Sequence, residues 1–170
     1  MKILITGGCG FLGSNLAHSY LKEDHDIFII DSLFRKGSKE NYEWLKSNFS
    51  CNRLKFFIFD LVDKSNLNKI FNENGPFDYI IHVAGQVAMT SSIKEPLRDL
   101  NTNIIGTFNL LESCRKFSPN SLFAYSSTNK VYGDLENLVY EEHSTRYTLK
   151  DYPNGLNENL YNKNIENIRK

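Results

Sequence analysis

Cysteine, proline and any excess of one charge are all scarce in this 170-residue chain. Its 20 Lys+Arg balance 20 Asp+Glu, so no net field gathers a phosphodiester polymer or an anionic lipid surface. Nucleic-acid and membrane partners are therefore not expected. The three cysteines, Cys9, Cys51 and Cys114, are odd in number, far apart and without a Cys-x-x-Cys pair. This argues against a disulfide framework and a zinc site, and points to a reduced, cytoplasmic setting with no metal. No apolar run approaches the roughly 18 residues of a membrane span. Met1-Lys2 leads straight into a short apolar segment that ends in glycines, unlike an export signal. A small-molecule ligand is the class that remains.

What the chain does have is a set of short apolar runs, rich in Ile, Phe, Val and Tyr, alternating with stretches of helical period. That alternation marks a parallel sheet covered on both faces, so the fold class is α/β. Strands are expected at 2–6, 26–31, 54–60, 78–83 and 121–127. Between the first two, Phe11, Leu12, Leu16, Ala17, Tyr20 and Leu21 recur at helical spacing and should bury one stripe against the sheet. The longest helix should start at Pro96 and run through Ile104, Ile105, Phe108 and Leu111 to about Lys116, where Ser118-Pro119-Asn120 stops it. From 134 to 170 the chain is charged and polar, and it reads as a loop followed by a weakly helical tail.

The sharpest local signal is Thr6-Gly7-Gly8-Cys9-Gly10-Phe11-Leu12-Gly13, where a strand ends and a helix begins. Gly7, Gly10 and Gly13 let the chain turn tightly, bring backbone N–H groups up to a diphosphate, and set the new helix close to the sheet. The helix N-terminus supplies the affinity for an anion. Asp31 ends the second strand 18 residues after Gly13, near the roughly 20 expected of a carboxylate that accepts ribose hydroxyls. That favours NAD over a 2′-phosphorylated cofactor, although Arg35 and Lys36 follow closely, and Asp31 could instead cap a turn. Asp60, with Leu61 beside it, is placed to reach an adenine or to cap the next helix.

Further along, His82-Val83-Ala84-Gly85-Gln86 puts small residues at a strand end, where a ring or ribose can lie against backbone. His82 itself, between Ile81 and Val83, reads as a hydrogen-bonded core residue. Asn103 is a poor helix former inside the long helix and reads as a polar brace for a neighbouring loop. Ser126-Ser127-Thr128 ends the fifth strand, on the rim where open parallel sheets bind ligands; the hydroxyls could equally satisfy their own backbone.

In this order, Thr6 to Gly13, Asp31, Asp60-Leu61, His82 to Gly85, Asn103-Ile104-Ile105-Gly106-Thr107 and Ser126 to Gly133 resemble the extended short-chain dehydrogenase/reductases, the family of nucleotide-sugar epimerases and dehydratases. The stretches Gly85 to Thr90, Thr145-Arg146-Tyr147 and Pro153-Asn154-Gly155 lean toward its members that epimerise a CDP-sugar at C2. The resemblance covers residues 1 to 155. It implies a Rossmann-like, doubly wound sheet over 1–133 with bound NAD, a nucleotide-sugar substrate such as CDP-paratose, and transient hydride transfer from C2. It also implies roles. Gly7, Gly10, Phe11 and Leu12 would contact the pyrophosphate, Asp31 the ribose, and Asp60 and Leu61 the adenine. Ala84, Gly85 and Gln86 would contact the central cofactor, Asn103 would be the brace, and Thr128 the catalytic hydroxyl.

One part of the pattern does not match. The family's Tyr-x-x-x-Lys, whose Lys lowers the Tyr pKa, belongs about forty residues beyond the hydroxyl, which falls at Ile168. Tyr42 and Lys46 are the one such pair in the chain, and they read as an exposed helical pair far from the nicotinamide end. The chain therefore reads as a cofactor domain truncated before the later strands and the substrate domain. Activity on its own is in question, a noncatalytic dinucleotide-binding module is the alternative, and the uncovered fifth strand points to a homo-oligomer, a bound partner or marginal stability.

Overall fold

Five short runs of β-branched and aromatic residues pair into one parallel sheet in the order β3-β2-β1-β4-β5. The coordinates, a computed structural model, describe residues 1–49, 52–86, 88–127 and 138–157. The strands are β1 (Lys2–Thr6), β2 (Asp26–Asp31), β3 (Leu54–Ile58), β4 (Tyr79–His82) and β5 (Leu122–Tyr125). Between them run α1 (Phe11–Lys22), α2 (Ser38–Asn48) and α3 (Lys64–Asn74), then α4 (Met89–Lys94), α5 (Pro96–Leu100), a π-helical segment Asn101–Gly106, and α6 (Thr107–Phe117). Contacts divide the chain into two units, Met1–Ser126 and Ser127–Lys170.

The side-chain alternation of β1 and β2 builds a core on each face of the sheet. Ile3, Ile5, Ile27 and Ile29 join Ala17 and Leu21 of α1 and Leu45 of α2. Leu4, Phe28, Ile30 and Ile80 join Leu67, Ile70 and Phe71 of α3 and Leu110 of α6 on the other face. The α/β parallel sheet is thus as the sequence pattern requires. The strand order reverses between β1 and β4: the chain crosses from the β1-β2-β3 side to start β4 on the other flank of β1. Such a reversal leaves a crevice beyond the carboxyl ends of the strands.

Three details differ from the sequence reading. β3 and β5 end earlier than expected, so Asp60 and Ser126 stand just past the sheet. Phe11 and Leu12 do not join the buried stripe of α1, being 86% and 51% exposed; they occupy its first turn, beyond the sheet, and the stripe is made by Ala17 and Leu21 lower down. The long helix is interrupted by the π-helical segment Asn101–Gly106.

In the second unit, the described residues contain a small antiparallel pair where a polar loop was expected. β6 (Tyr140–Glu142) and β7 (Tyr147–Leu149) pair Tyr140 with Leu149, Glu141 with Thr148 and Glu142 with Tyr147. Tyr and Thr favour such a pleated surface, and the His143 N–H closes the turn onto the Arg146 carbonyl at 2.9 Å. The expected helical tail lies outside the described residues.

Candidate functional site

Two helix starts face the same end of the sheet and are built differently. At α3 the Asp63 carboxylate accepts the N–H groups of Ser65 and Asn66, both at 3.1 Å, and those bonds hold its pKa below the usual carboxylate value. At α1 the cap is Gly10, with no side chain to accept anything. A helix cannot satisfy its own first N–H groups. Phe11 and Leu12, which carry the first of them, line a cleft of about 440 Å³.

The glycines make room for whatever meets those amides. Gly7 has φ +70°, and a Cβ there would come within 2.7 Å of the Ala84 backbone on β4's side. A Cβ on Gly13 would lie 2.3 Å from the Gly7 carbonyl oxygen. The turn is closed by the Gly10 N–H donating to the Gly7 carbonyl at 3.0 Å and the Gly7 N–H to Ile30 at 2.8 Å. A positive dipole end without a side-chain cap, lined by glycines, fits a diphosphate.

Asp31 stands across the cleft, half-buried at the end of β2. One of its oxygens accepts the Cys9 N–H at 2.9 Å and the other the Leu33 N–H at 2.8 Å. The capping alternative is thus present, since the carboxylate ties the glycine turn to its own turn, and Asp31 is also part of the cleft wall. An ionised carboxylate has about four acceptor sites, which leaves room for ribose hydroxyls. Asp60 also faces the cleft while accepting the Val62 N–H at 3.1 Å. Cys9, behind the turn, is fully buried, and burial followed by the Asp31 charge pushes its thiol up to about 12; it is inert.

The cleft wall brings together Gly7, Gly10, Phe11, Leu12, Asp31, Asp60, Leu61, Ala84, Gly85 and Gln86. Asn103 is not in that wall. It stands behind it, its side-chain oxygen accepting the Gln86 N–H at 2.8 Å. Ser126 reaches the wall, whereas Thr128 lies outside the described residues. His82 is a core residue: Nδ1 lies 2.6 Å from the Thr6 hydroxyl and Nε2 2.8 Å from that of Thr107, and burial lowers its pKa to about 4. Tyr42 is half-buried against Phe56 rather than exposed, since α2 lays it on the sheet; Lys46 lies over its ring at 4.9 Å. Neither lines the cleft.

The sequence reading missed Phe34, Arg98 and Thr102. The Arg98 guanidinium lies 3.3 Å from the centroid of the Phe34 ring, with both residues in the cleft wall. Such a stack is a cation–π contact.

Residues 4–153 match the family described as GDP-mannose 4,6 dehydratase. The chain belongs to that family. Among its dehydratase-family relatives, CDP-paratose 2-epimerase of Salmonella typhi is 48% identical over 158 residues, covering 93% of this chain and 46% of that protein. dTDP-glucose 4,6-dehydratase of Salmonella typhimurium is 36% identical, covering 88% and 43%. Of solved structures, the UDP-glucose 4-epimerase of Thermus thermophilus in complex with NAD has a TM-score of 0.69 at 29% identity, covering 88% of this chain and 45% of that one. The UDP-Glc/GlcNAc 4-epimerase of Campylobacter jejuni has a TM-score of 0.69 at 32% identity, covering 96% and 47%. The chain spans a little under half the length of these dehydratase-family proteins. Among the described residues, no helix is long and apolar enough to cross a membrane, and no cluster of His, Cys, Asp and Glu could hold a metal ion.

Proposed function

We propose that this chain is the NAD-binding portion of a nucleotide-sugar epimerase acting at C2 of CDP-paratose. The observation that carries the binding half is the uncapped, glycine-lined start of α1 opposite Asp31. The 48% identity to a CDP-paratose 2-epimerase supports the choice of sugar nucleotide. NAD held here would supply a hydride acceptor and donor. The residues here bind and orient: the amides of Phe11 and Leu12 take the pyrophosphate beside Gly7 and Gly10, and the Asp31 carboxylate takes the ribose. Asp60 and Leu61 border the adenine. Ala84, Gly85 and Gln86 pass along the central cofactor with Asn103 behind them. In this reading the Thr128 hydroxyl holds a sugar oxygen.

Removing the proton from the C2 hydroxyl calls for a base with a lowered pKa. Among the 170 residues Tyr42 and Lys46 alone have the Tyr-x-x-x-Lys spacing, and they sit on α2 away from the cleft wall. No pair with that spacing therefore lines the cleft wall. A noncatalytic dinucleotide-binding module is the second reading, favoured by the same mismatch.

Calorimetry with NAD tests binding: saturable heat is expected, and its absence overturns the proposal. Asp31→Arg should weaken NAD by at least about 1 kcal/mol, because it replaces a charged acceptor by a donor; unchanged affinity removes the ribose assignment. With CDP-paratose and NAD present, formation of tyvelose by this chain alone would show that another group serves as base.

Two further parts of the reading rest on the surface and the thiols. Leu97, Leu100, Ile104, Phe108 and Leu111 are exposed at helical spacing along Pro96–Phe117, which supports a homo-oligomer. A compact monomer in sedimentation counts against it. Cys9 and Cys114 are free thiols, which supports a cytoplasmic setting.

A further inference from the structure

The helix that follows α4 changes pitch where it passes the cleft. Asn101–Gly106 is π-helical between α5 and α6, and π segments inside α-helices recur where a side chain has been placed for function. Asn103 sits in this segment. Its Oδ1 accepts the Gln86 N–H at 2.8 Å, and its Nδ2 donates to Oδ1 of Asp99 at 2.9 Å. The same Asp99 oxygen accepts the Ser92 hydroxyl at 2.7 Å. One chain of hydrogen bonds thus links α4, α5, the π segment and the loop after β4.

The direction of that chain is not set by Asn103. A side-chain amide is nearly symmetric in shape, with an acceptor at one end and donors at the other. Turned over, Asn103 would present its NH₂ to the Gln86 N–H, two donors facing each other. A carboxylate accepts and does not donate, so Asp99 admits one orientation of the amide. The backbone is close enough to register the choice: a Cβ on Gly85 would stand 3.3 Å from the Asn103 oxygen.

We propose that Asp99 is a positioning residue: by holding the Asn103 amide in the orientation that accepts from Gln86, it fixes the Gly85-Gln86 wall of the cleft, and through Ser92 it anchors α4 to the same point. The inference goes beyond the cofactor reading and rests on it only for its effect on ligand affinity. Asp99 also lies in the first turn of α5, where an acidic residue favours a helix start on charge alone. The two roles separate experimentally.

The primary measurement is hydrogen exchange of the Gln86 amide in the full 170-residue chain. Asp99→Leu removes the acceptor, and Asp99→Ser keeps a helix-start residue too short to reach Asn103. Each should raise Gln86 exchange by about tenfold, by loosening the hydrogen bond that protects it. Asp99→Asn keeps an oxygen within reach of Asn103 but adds an NH₂ that also suits the turned amide, so exchange should rise by only about threefold, less than in Asp99→Leu. A charge-only role predicts the reverse, with Asp99→Asn as damaging as Asp99→Leu or Gln86 exchange unmoved in all three; either result overturns the proposal. In an Asn103→Leu background, Asp99→Leu should add nothing further to Gln86 exchange, and an additive effect also overturns it. NAD affinity, read separately by calorimetry, should fall about tenfold in Asp99→Leu. If the exchange pattern appears while NAD does not bind the parent chain, the cofactor reading fails and the positioning role stands.

Discussion

The starts of α1 and α3 look out from the same edge of one sheet, yet one is closed by its own sequence and the other is left open. Asp63 takes up two N–H groups of α3 and adds hydrogen bonds to the side chains of Ser65 and Asn66. Nothing of this kind exists at Gly10. Both helices bury apolar faces against the sheet, so the difference is not one of packing. A helix that serves the fold satisfies its own end, and a helix that serves a ligand keeps that end free and removes side chains around it.

The largest expected effect comes from filling the open end. In Gly13→Val the new Cβ collides with the Gly7 carbonyl and the Gly8 backbone at 2.3 and 2.7 Å. Backbone cannot move aside as a side chain can. NAD binding should fall below detection by calorimetry, about a hundredfold or more, with overall stability lowered. Retention of binding would mean that the diphosphate is held elsewhere.

Next in size is a test that should touch the fold and leave the open end alone. His82 is bound on both ring nitrogens by Thr6 and Thr107, and its pKa is lowered from 6.5 to about 4 by burial. The unfolded chain therefore takes up a proton between those values more readily than the folded one. Stability is intact above pH 6.5 and falls as pH drops toward 4, by up to about 3 kcal/mol. Denaturant titrations at several pH values measure this, and His82→Gln should flatten the slope. An unchanged slope in that variant assigns the acid sensitivity to other groups.

The open helix start was legible in the sequence because its parts are local: glycines that meet within one turn, and a carboxylate at the end of the next strand. His82 as a core residue and Asn103 as a brace were legible from misfit, a polar group where the pattern is apolar or helical. Arg98 and Phe34 were not legible, since nothing joins them until the strand order carries α5 across from the loop after β2. The π segment was equally hidden. Its sequence satisfies a helical period, and its pitch shows only once Gly106 lies against Leu61, where a Cβ would come 3.1 Å from that side chain. The short pair β6-β7 was lost to polarity: Glu141, Glu142 and His143 read as loop, yet Tyr140 opens β6, Tyr147 opens β7, and Glu142 pairs with Tyr147.

The contrast between the two helix starts can also be reversed by one residue. Gly10 has φ −74° and ψ 175°, extended backbone open to any residue, and its added Cβ would sit 3.2 Å from the Gly7 oxygen, tight but short of collision. Gly10→Asp should give α1 the kind of cap that α3 has. Its carboxylate then competes for the amides and repels a diphosphate, so NAD affinity should fall by about tenfold or more, with no loss of stability in the free chain. If stability falls with affinity, the turn rather than the cap was disturbed.

The smallest effect completes the comparison from the closed side. Asp63→Ala leaves the N–H groups of Ser65 and Asn66 to water, and removes an acceptor shared with the Ser65 hydroxyl and the Asn66 amide. Because the site is exposed, solvent replaces most of what is lost, and the midpoint of thermal unfolding should drop by only about 2–4 °C. NAD affinity should stay within twofold of the parent, as about 0.4 kcal/mol at most. A variant that unfolded no earlier would show the cap to be idle. One that also lost NAD would show that the start of α3 is coupled to the cleft through Asp60, whose carbonyl accepts the Asp63 N–H at 2.9 Å.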